Sequence, residues 1–290
     1  MHRVSRCGSL RFGSISPTVP ELAEVEHSRR SWDVGLGHQV EEVMLRRPEI
    51  RIFRGTNANA MARELLRQPF VASAAKGKQM AFRFGDAGDR WVGIHLGMAG
   101  RLRVAPAPFL PAKHDYFALR LNGRWLVFSD TRYFGRVQFH AGPPCPPWWL
   151  RLPPSILDRK FTAAEVSRFL ARRKRTPLKA LLLMQERFPG IGNWMADEIL
   201  WRARLHPKRL AGELDASGVQ TLWRTTRLVC RRAVTVVNDD WEYPDTWLFA
   251  HRWAKGGRCP RCGTGLDRAE VGGRTTCWCP RCQPANGETG

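Results

Sequence analysis

Four cysteines near the C-terminus have the spacing of metal ligands. Cys259 and Cys262 form one Cys-x-x-Cys pair, and after sixteen intervening residues Cys279 and Cys282 form a second. Such knuckles place four thiolates at tetrahedral corners around zinc, with a β-hairpin between them. Because all four ligands are cysteine, no position is left for water, and we expect one structural Zn2+ ion. Disulfide bonds are the alternative, and the nearby Cys277 lies outside the spacing.

A second pattern is the glycine-rich turn at 188–193, between two helical stretches. Gly190 and Gly192 flank a single apolar residue, which favours a tight turn with exposed backbone N–H groups at the start of the next helix. Such a helix start is a natural phosphate cradle. Asn193 adds a side-chain amide at the same place, although a simple interhelical loop would also explain the pattern.

Basic and bulky side chains also occur on predicted loops. Lys78 follows a Lys-Gly turn, and His95 leads into a glycine-containing loop that carries Met98. Arg132 and Phe134 lie on another turn. Bulky side chains on the loops of a basic protein can act as wedges that enter a stack of bases. The alternative is that these residues fold back onto the core.

The charge balance indicates a polyanionic partner. The chain has 290 residues with 47 Lys+Arg against 26 Asp+Glu, a net charge of +21. No stretch approaches 18 consecutive apolar residues, which excludes a membrane-spanning helix, so nucleic acid is the favoured partner. Arginine supplies 39 of the basic residues (47 − 8), although a GC-rich genome would give the same bias. The absence of an apolar signal-peptide core favours a reducing, cytoplasmic location.

The elements that position these residues follow from the patterning. Alternation of Met80, Phe82 and Phe84 predicts a half-buried strand, and Asn122-Gly123 predicts a β-hairpin. A proline-rich stretch predicts a linker, and Thr162 with Glu165 predicts a helix start. We therefore expect an α+β multidomain protein: an extension (1–19), an N-terminal β-sandwich (20–140), a linker (141–158), a helical domain (159–240), a zinc finger (250–283) and a tail (284–290).

Taken together, four blocks resemble the formamidopyrimidine-DNA glycosylase / endonuclease VIII family of base-excision repair enzymes. The resemblance spans about 20–283 and implies a helix–two-turn–helix in the helical domain and damaged double-stranded DNA between the domains, bound by a monomer. The blocks are Pro20-Glu21-Leu22-x-Glu24-Val25-Glu26, Gly77-Lys78 with His95-Leu96-Gly97-Met98, Gly190-Ile191-Gly192-Asn193, and the four-cysteine zinc finger.

The resemblance implies a glycosylase with AP lyase activity. Pro20 would attack C1′ of a flipped-out nucleotide and form a Schiff base, and Glu21 would be the general acid at the sugar. Lys78 would complete the catalytic set and Glu24 would support it, with β,δ-elimination cutting the strand. The remaining residues implied to hold the DNA are His95, Asn193 and Arg274 at phosphates, and Met98, Arg132 and Phe134 in the vacated stack.

One departure from the family pattern is chemically serious. Pro20 is not the first residue, and behind Val19 its nitrogen is a tertiary amide that cannot form a Schiff base. Val19 could be the true start, read from a GUG codon, or residues 1–19 could be a cleaved transit segment. We favour the first explanation. If the extension is real, the chain would be a catalytically silent zinc-finger protein that binds damaged or abasic DNA.

A second departure concerns the lesion. Members specialised for 8-oxoguanine carry a longer segment where this chain has a short connection from Val237 to Arg258 with Trp241, Pro244 and Trp247. We therefore expect ring-opened purines or oxidised pyrimidines to be processed as well as 8-oxoguanine or better. A generic zinc-ribbon RNA-binding protein would explain the charge and the cysteines but not Pro20-Glu21 or the glycine turn.

Overall fold

The computed structural model describes residues 19–143, 145–239, 243–253 and 255–285. Its N-terminal half consists of two four-stranded antiparallel sheets, with strand orders β1-β6-β7-β5 and β2-β3-β4-β8. The elements of this half are α1 (Leu22–Ser31), β1 (Glu42–Leu45), α2 (Ala58–Leu65), β2 (Phe70–Lys76), β3 (Gln79–Phe84), β4 (Arg90–His95), β5 (Gly100–Pro106), β6 (Asp115–Leu121), β7 (Arg124–Asp130) and β8 (Arg136–Ala141).

The expected β-sandwich is confirmed. Met80, Phe82 and Phe84 of β3 are fully buried between the sheets, as their alternation predicts. The predicted hairpin joins β6 to β7, with φ of 46° at Asn122 and 68° at Gly123. Positive φ at both central residues is typical of the tight turn that matches the twist of its strands.

The proline-rich linker contains a helix of one turn, α3 (Pro147–Leu150), which was not predicted from the sequence. A proline at the first helical position costs no hydrogen bond, so Pro147 can begin the turn. Trp148 then lies on β4, where a Cβ added to Gly93 would approach the indole ring to 2.7 Å. The linker is therefore packed against the sandwich over this stretch.

The second half is helical, as expected. Thr162 caps its first helix by accepting a hydrogen bond from the backbone N–H of Glu165 at 3.3 Å. The helix that follows ends at Leu182. Beyond it, the Gln185 side chain accepts a hydrogen bond from the backbone N–H of Gly190 at 3.0 Å and donates one to the carbonyl of Ile191 at 2.8 Å. The helices are α4 (Ala163–Ala171), α5 (Leu178–Leu182), α6 (Asn193–Ala203), α7 (Ala216–Asp239) and α8 (Leu248–His251).

Helix α1 belongs to both halves. Its Leu22 and Ala23 pack into the helical core, whereas Val25 packs into the core of the sandwich. The helix contacts α7 on one side and β2 and β5 on the other. The residues at the start of α1 are therefore held at the junction of the two halves.

The cysteine module contains the expected hairpin, formed by β9 (Asp267–Val271) and β10 (Arg274–Trp278). Its turn rests on α5, since a Cβ at Gly272 would lie 2.6 Å from that of Ala180. The Gln283 side chain donates to the carbonyl of Leu205, just after α6, at 2.9 Å. None of the helices in the described ranges is long and apolar enough to cross a membrane.

Candidate functional site

The site is built around the Glu21 carboxyl group, which lies at the N-terminus of α6. Oε2 accepts hydrogen bonds from the backbone N–H groups of Gly192 at 2.9 Å and Met195 at 3.1 Å, and Oε1 accepts one from Trp194 at 3.0 Å. A helix N-terminus offers such unpaired donors and a partial positive charge. Three hydrogen bonds to this one carboxyl group therefore help to attach the start of α1 to the helical domain.

Gly192 is required here for space. Its φ of −122° suits any residue, but a Cβ would lie 2.6 Å from Cγ of Glu21 and closer still to the carboxyl carbon. The interpretation of this turn as a phosphate cradle is wrong for the three N–H groups of Gly192, Trp194 and Met195. Their partner is the protein's own Glu21 carboxyl group.

Glu24 lies one turn further along α1 and is held by three donors. Its Oε2 accepts from the backbone N–H of Glu21 at 3.1 Å. Its Oε1 accepts from Nε1 of Trp194 at 3.2 Å and from the hydroxyl of Tyr243 at 3.1 Å. Both glutamates are almost completely buried, with 2% and 5% of their surface exposed.

Burial controls the protonation of the two glutamates. Desolvation, followed by the charge of Glu24, raises the pKa of Glu21 to about 7, and the opposing effects of Lys78 and the backbone N–H groups do not cancel this. Burial likewise raises the pKa of Glu24. Removing a carboxylate from water penalises its charged form, and a second carboxylate nearby adds to the penalty. Glu21 therefore keeps its proton to a higher pH than an exposed glutamate does.

Lys78 brings a cation to the same place. Burial lowers its pKa, the charges of Glu21 and Glu24 oppose that, and the charge of Arg274 adds to the lowering. In the described ranges, Lys78 makes no direct ion pair with a carboxylate. The turn before it touches the glycine turn, since a Cβ at Gly77 would lie 2.9 Å from that of Pro189.

His95 lies on the Lys78 side of the site. Burial and the charge of Lys78 lower its pKa, so the ring is neutral near pH 7. Its Nδ1 accepts from the backbone N–H of Gly97 at 3.0 Å, which assigns the ring proton to Nε2. Nε2 is then a neutral hydrogen-bond donor.

The predicted stack-filling residues lie on two adjoining loops. A Cβ at Gly97, beside Met98, would lie 2.6 Å from the nitrogen of Gly135, just after Phe134. The carboxylate of Asp130 orders the second loop by accepting from the N–H groups of Arg132 at 2.9 Å and Gly135 at 2.6 Å. Met98 is half-buried, and Arg132 is exposed.

Phe134 is an apolar ring left at the surface, with 43% of its area exposed. The guanidinium groups of Arg132 and Arg51 lie 5.2 Å and 5.4 Å from its ring centre. Arg51 was not among the predicted site residues, because nothing in the chain near position 51 indicates contact with a loop more than 80 residues away.

Asn193 and Arg274 meet where the hairpin reaches α6. The Asn193 side chain donates to the carbonyl of Thr275 at 2.9 Å, while its Oδ1 is buried without a hydrogen-bond partner in the described chain. Arg274 is exposed at the start of β10. One amide hydrogen of Asn193 is thus used to hold the strand that carries Arg274.

The four predicted cysteines form the metal-ligating group found in the described part of the chain, with all four Sγ atoms within 4.8 Å of one another. The Sγ atom of Cys262 lies 3.5 Å from those of Cys279 and Cys282, and Cys259 lies 3.9 Å from Cys282. Tetrahedral coordination with metal–sulfur bonds of about 2.3 Å requires the sulfur atoms to lie about 3.8 Å from one another. The donor set therefore fits a structural metal ion, and Cys277 is not part of it.

Two further site residues were not identified from the sequence. Trp194 and Tyr243 both bind Glu24, and their rings lie 4.8 Å apart by their centres. Tyr243 also contacts Trp247 at 5.5 Å and Phe249 at 4.2 Å. Aromatic enrichment of this segment was the available signal. Trp241, noted for the same reason, lies outside the described residues.

Known proteins share this arrangement. Residues 19–137 match the family model described as the formamidopyrimidine-DNA glycosylase N-terminal domain. Residues 152–242 match that of the formamidopyrimidine-DNA glycosylase H2TH domain, and residues 256–285 match the zinc finger found in FPG and IleRS.

Curated relatives match along most of the chain. A formamidopyrimidine-DNA glycosylase of Thermus thermophilus is 38% identical over 279 residues, covering 91% of this chain and 98% of the relative. That of Thermomicrobium roseum is 35% identical, with coverages of 92% and 99%.

Among solved structures, a Lactococcus lactis Fpg complex with abasic-site DNA has a TM-score of 0.79 at 25% identity, covering 91% of this chain and 100% of that one. A second complex from that organism, with DNA containing an oxidized pyrimidine, has a TM-score of 0.80 at 25% identity, with coverages of 92% and 100%.

Proposed function

This chain belongs to the formamidopyrimidine-DNA glycosylase family and is a DNA repair glycosylase, and on that premise we propose that it excises oxidised or ring-opened bases through a Schiff base on Pro20. Strand cleavage by β,δ-elimination would follow. The combination of glycosylase and AP lyase activity is typical of the family. If the nitrogen of Pro20 instead stays in its peptide bond to Val19, the alternative applies, and the chain is a catalytically silent protein that binds damaged DNA.

The observation that carries this proposal is the way in which the protein holds the carboxyl group of Glu21. Its carboxyl group is fixed by three backbone donors, and its pKa of about 7 lets it release a proton at neutral pH. A general acid works best when its pKa is close to the working pH. Glu21 is adjacent to Pro20, so an acid and a nucleophile would act on the same sugar.

The chemistry requires a free amine at Pro20. An α-amino group has a pKa near ~8, so a useful fraction is neutral at pH 7. Removal of everything up to Val19 would expose a secondary amine ahead of α1, whose N-terminal end disfavours a positive charge. The amine nitrogen would then bond to C1′ as the bond from C1′ to the base breaks, and the amine proton would pass to the departing base. Glu21 would donate its proton to the ring oxygen as the bond between C1′ and that oxygen breaks, which opens the sugar and lets the nitrogen lone pair form the iminium.

The DNA would lie across the junction of the two halves. Lys78 and Arg274 supply cations there, His95 supplies a neutral donor, and Asn193 holds the strand that carries Arg274. The exposed ring of Phe134, with Met98 and Arg132, would fill the space left by the flipped nucleotide. The bound DNA in the Lactococcus lactis structures supports this partner.

We assign zinc to the four-cysteine site, on the cysteine chemistry and the zinc-finger match. The ion would only hold the hairpin that carries Arg274, since four thiolates fill its coordination. We further propose that the protein acts as a monomer in the bacterial cytoplasm, at the nucleoid. The bacterial relatives support this setting.

We also propose that 8-oxoguanine is not the preferred lesion. The segment after α7 contributes Tyr243, Trp247 and Phe249 to a packed aromatic group around Trp194, which ties these side chains to the protein instead of leaving them to cover a flipped base. Excision rates from duplexes that contain 8-oxoguanine, formamidopyrimidine or an oxidised pyrimidine test this. Faster removal of 8-oxoguanine would overturn it.

Borohydride trapping on an abasic duplex tests the function. A Schiff base becomes a stable covalent link to DNA on reduction, and a silent binding protein is not trapped. We expect trapping with the native protein, a mass spectrum that begins at Pro20, and weaker trapping with P20G in a chain that begins there. An active protein with an intact Met1 would refute the role of Pro20.

A further inference from the structure

We propose that Tyr243 is a positioning residue for base excision: by holding the Glu24 carboxylate against the backbone of Glu21, it determines which of the two glutamates carries a proton. The inference rests on the proposed role of Glu21 as the acid. Tyr243 does not approach DNA in this scheme and acts only through Glu24. Its contribution is therefore expected in the protonation of Glu21 and not in DNA binding.

The geometry that carries the proposal is the set of donors around Glu24. The hydroxyl of Tyr243 and the indole of Trp194 both donate to Oε1, at 3.1 Å and 3.2 Å, and Oε2 is bound by the Glu21 backbone. Three donors favour the ionised form of a buried carboxyl group. Tyr243 and Glu24 are 219 residues apart in the sequence, so this contact exists only in the folded chain.

The ring of Tyr243 is fixed in place, which makes its hydroxyl a dependable donor. It packs against Trp194, Trp247 and Phe249, with ring centres 4.2–5.5 Å away. Burial and the charge of Glu24 raise the pKa of Tyr243 above its ordinary value, so the hydroxyl keeps its proton throughout the working pH range.

Other charged groups around the pair must be kept constant in any test. Lys78 faces both glutamates from the strand side, and the buried Lys179 faces Glu21 from α5. Lys179 pairs with Asp197 at 2.5 Å, and Arg252 binds the same carboxylate at 2.6 Å. The Cys230 thiol faces Glu21 from α7, and Glu198 faces Tyr243 from α6. None of these groups binds the Tyr243 hydroxyl, so a change confined to that hydroxyl leaves them in place.

The sign of the effect follows from the contacts. Without the hydroxyl, the charged form of Glu24 loses a donor, so the pKa of Glu24 rises and it takes up a proton more readily. Glu21 then loses the neighbouring negative charge that raises its own pKa. The pKa of Glu21 falls, and less of the acid is protonated at pH 7. In a plot of excision rate against pH, the alkaline limb, where the rate falls as Glu21 loses its proton, therefore moves to lower pH.

The test uses the native protein and its Y243F variant in single-turnover excision between pH 5 and 9. We expect the alkaline limb of Y243F to move down by on the order of one pH unit. The Kd for abasic DNA should not change, because Tyr243 does not contact it. E24Q imitates a neutral Glu24, so Y243F should add no further shift when combined with E24Q.

Y116F is the matched control, since it removes another buried tyrosine hydroxyl, which lies 3.3 Å from Nδ1 of His114 in the sandwich. Its pH profile should equal that of the wild type. An unmoved limb in Y243F, or an equal loss of rate at every pH, would overturn the inference. Failure of the wild type to be trapped by borohydride would instead overturn the proposed function.

A second measurement covers the case in which Y243F does not fold. The chain has 3 tyrosines, so incorporation of 3-fluorotyrosine replaces few groups, and the fluorinated phenol is a stronger donor to Glu24. The alkaline limb should then move to higher pH, in the wild type and in Y116F alike. No movement, or movement to lower pH, would contradict the role of Tyr243.

Discussion

Replacing Gly192 with alanine tests how the acid is held. The backbone at Gly192 suits any residue, so the added methyl group acts only through the space it occupies. Its carbon would lie 2.6 Å from Cγ of Glu21, whereas real Cβ atoms essentially never come closer than 3.0 Å. Glu21 must therefore move by at least 0.4 Å (3.0 − 2.6), and its carboxyl group by more.

The expected magnitude follows from the bonds that this movement breaks. Hydrogen bonds of 2.9–3.1 Å to Gly192, Trp194 and Met195 lose most of their strength when stretched by half an ångström or more. Loss of two of them should lower the free energy of unfolding by about 2–4 kcal/mol. A protein of ordinary stability stays folded after such a loss. An acid displaced by up to ~1 Å should slow excision by about 100-fold.

The assay is single-turnover excision, with thermal denaturation measured in parallel. G265A is the matched control, because Gly265 has no atom within 4 Å of the added Cβ and does not have a positive φ. We expect G265A to behave as the wild type. If G192A excises within about twofold of the wild type, or if G265A is equally impaired, the reasoning about Glu21 is refuted.

Three other outcomes are expected. Burial raises the pKa of Glu198 to about 7. The stability that Glu198 contributes is therefore complete below its unfolded pKa of about 4.5 and is lost as the pH rises through about 7. Over this range the melting temperature of E198Q should decline less than that of the wild type. Chelation should remove one zinc per chain, as measured by atomic emission. It should also weaken binding to abasic DNA, because the hairpin that carries Arg274 would detach from α6, and unchanged binding would contradict this. F134A should weaken binding to lesion DNA with little change in melting temperature, because the ring is 43% exposed, whereas a large loss of stability would indicate a core residue.

Local patterns in the sequence predicted local structure well. The turn at Asn122-Gly123 and the cap at Thr162 depend on residues next to each other in the chain. The cysteine knuckles likewise have a spacing that few other structures require. The linker helix at Pro147–Leu150 escaped prediction, because proline density indicates a break but not the single turn that a proline can begin.

Interactions between distant segments could not be predicted in this way. The glycine turn was interpreted as an anion site, and its N–H groups do bind a carboxylate, but the carboxylate comes from Glu21, 171 residues earlier in the chain. Asn193 was expected at the site, and its bond to Thr275 crosses 82 residues. Nothing in the spacing of Tyr243 relates it to Glu24.

The sequence by itself determined the types of chemical group available: a Pro-Glu pair, a glycine turn, a four-cysteine site and an excess of arginine. The tertiary structure decided how they work, because the pKa of Glu21 depends on its burial and on the neighbouring charge of Glu24. Burial arises only when α1 is packed between the sandwich and the helical core. Side-chain identity is encoded residue by residue, whereas the desolvation of a carboxyl group is a property of everything packed around it.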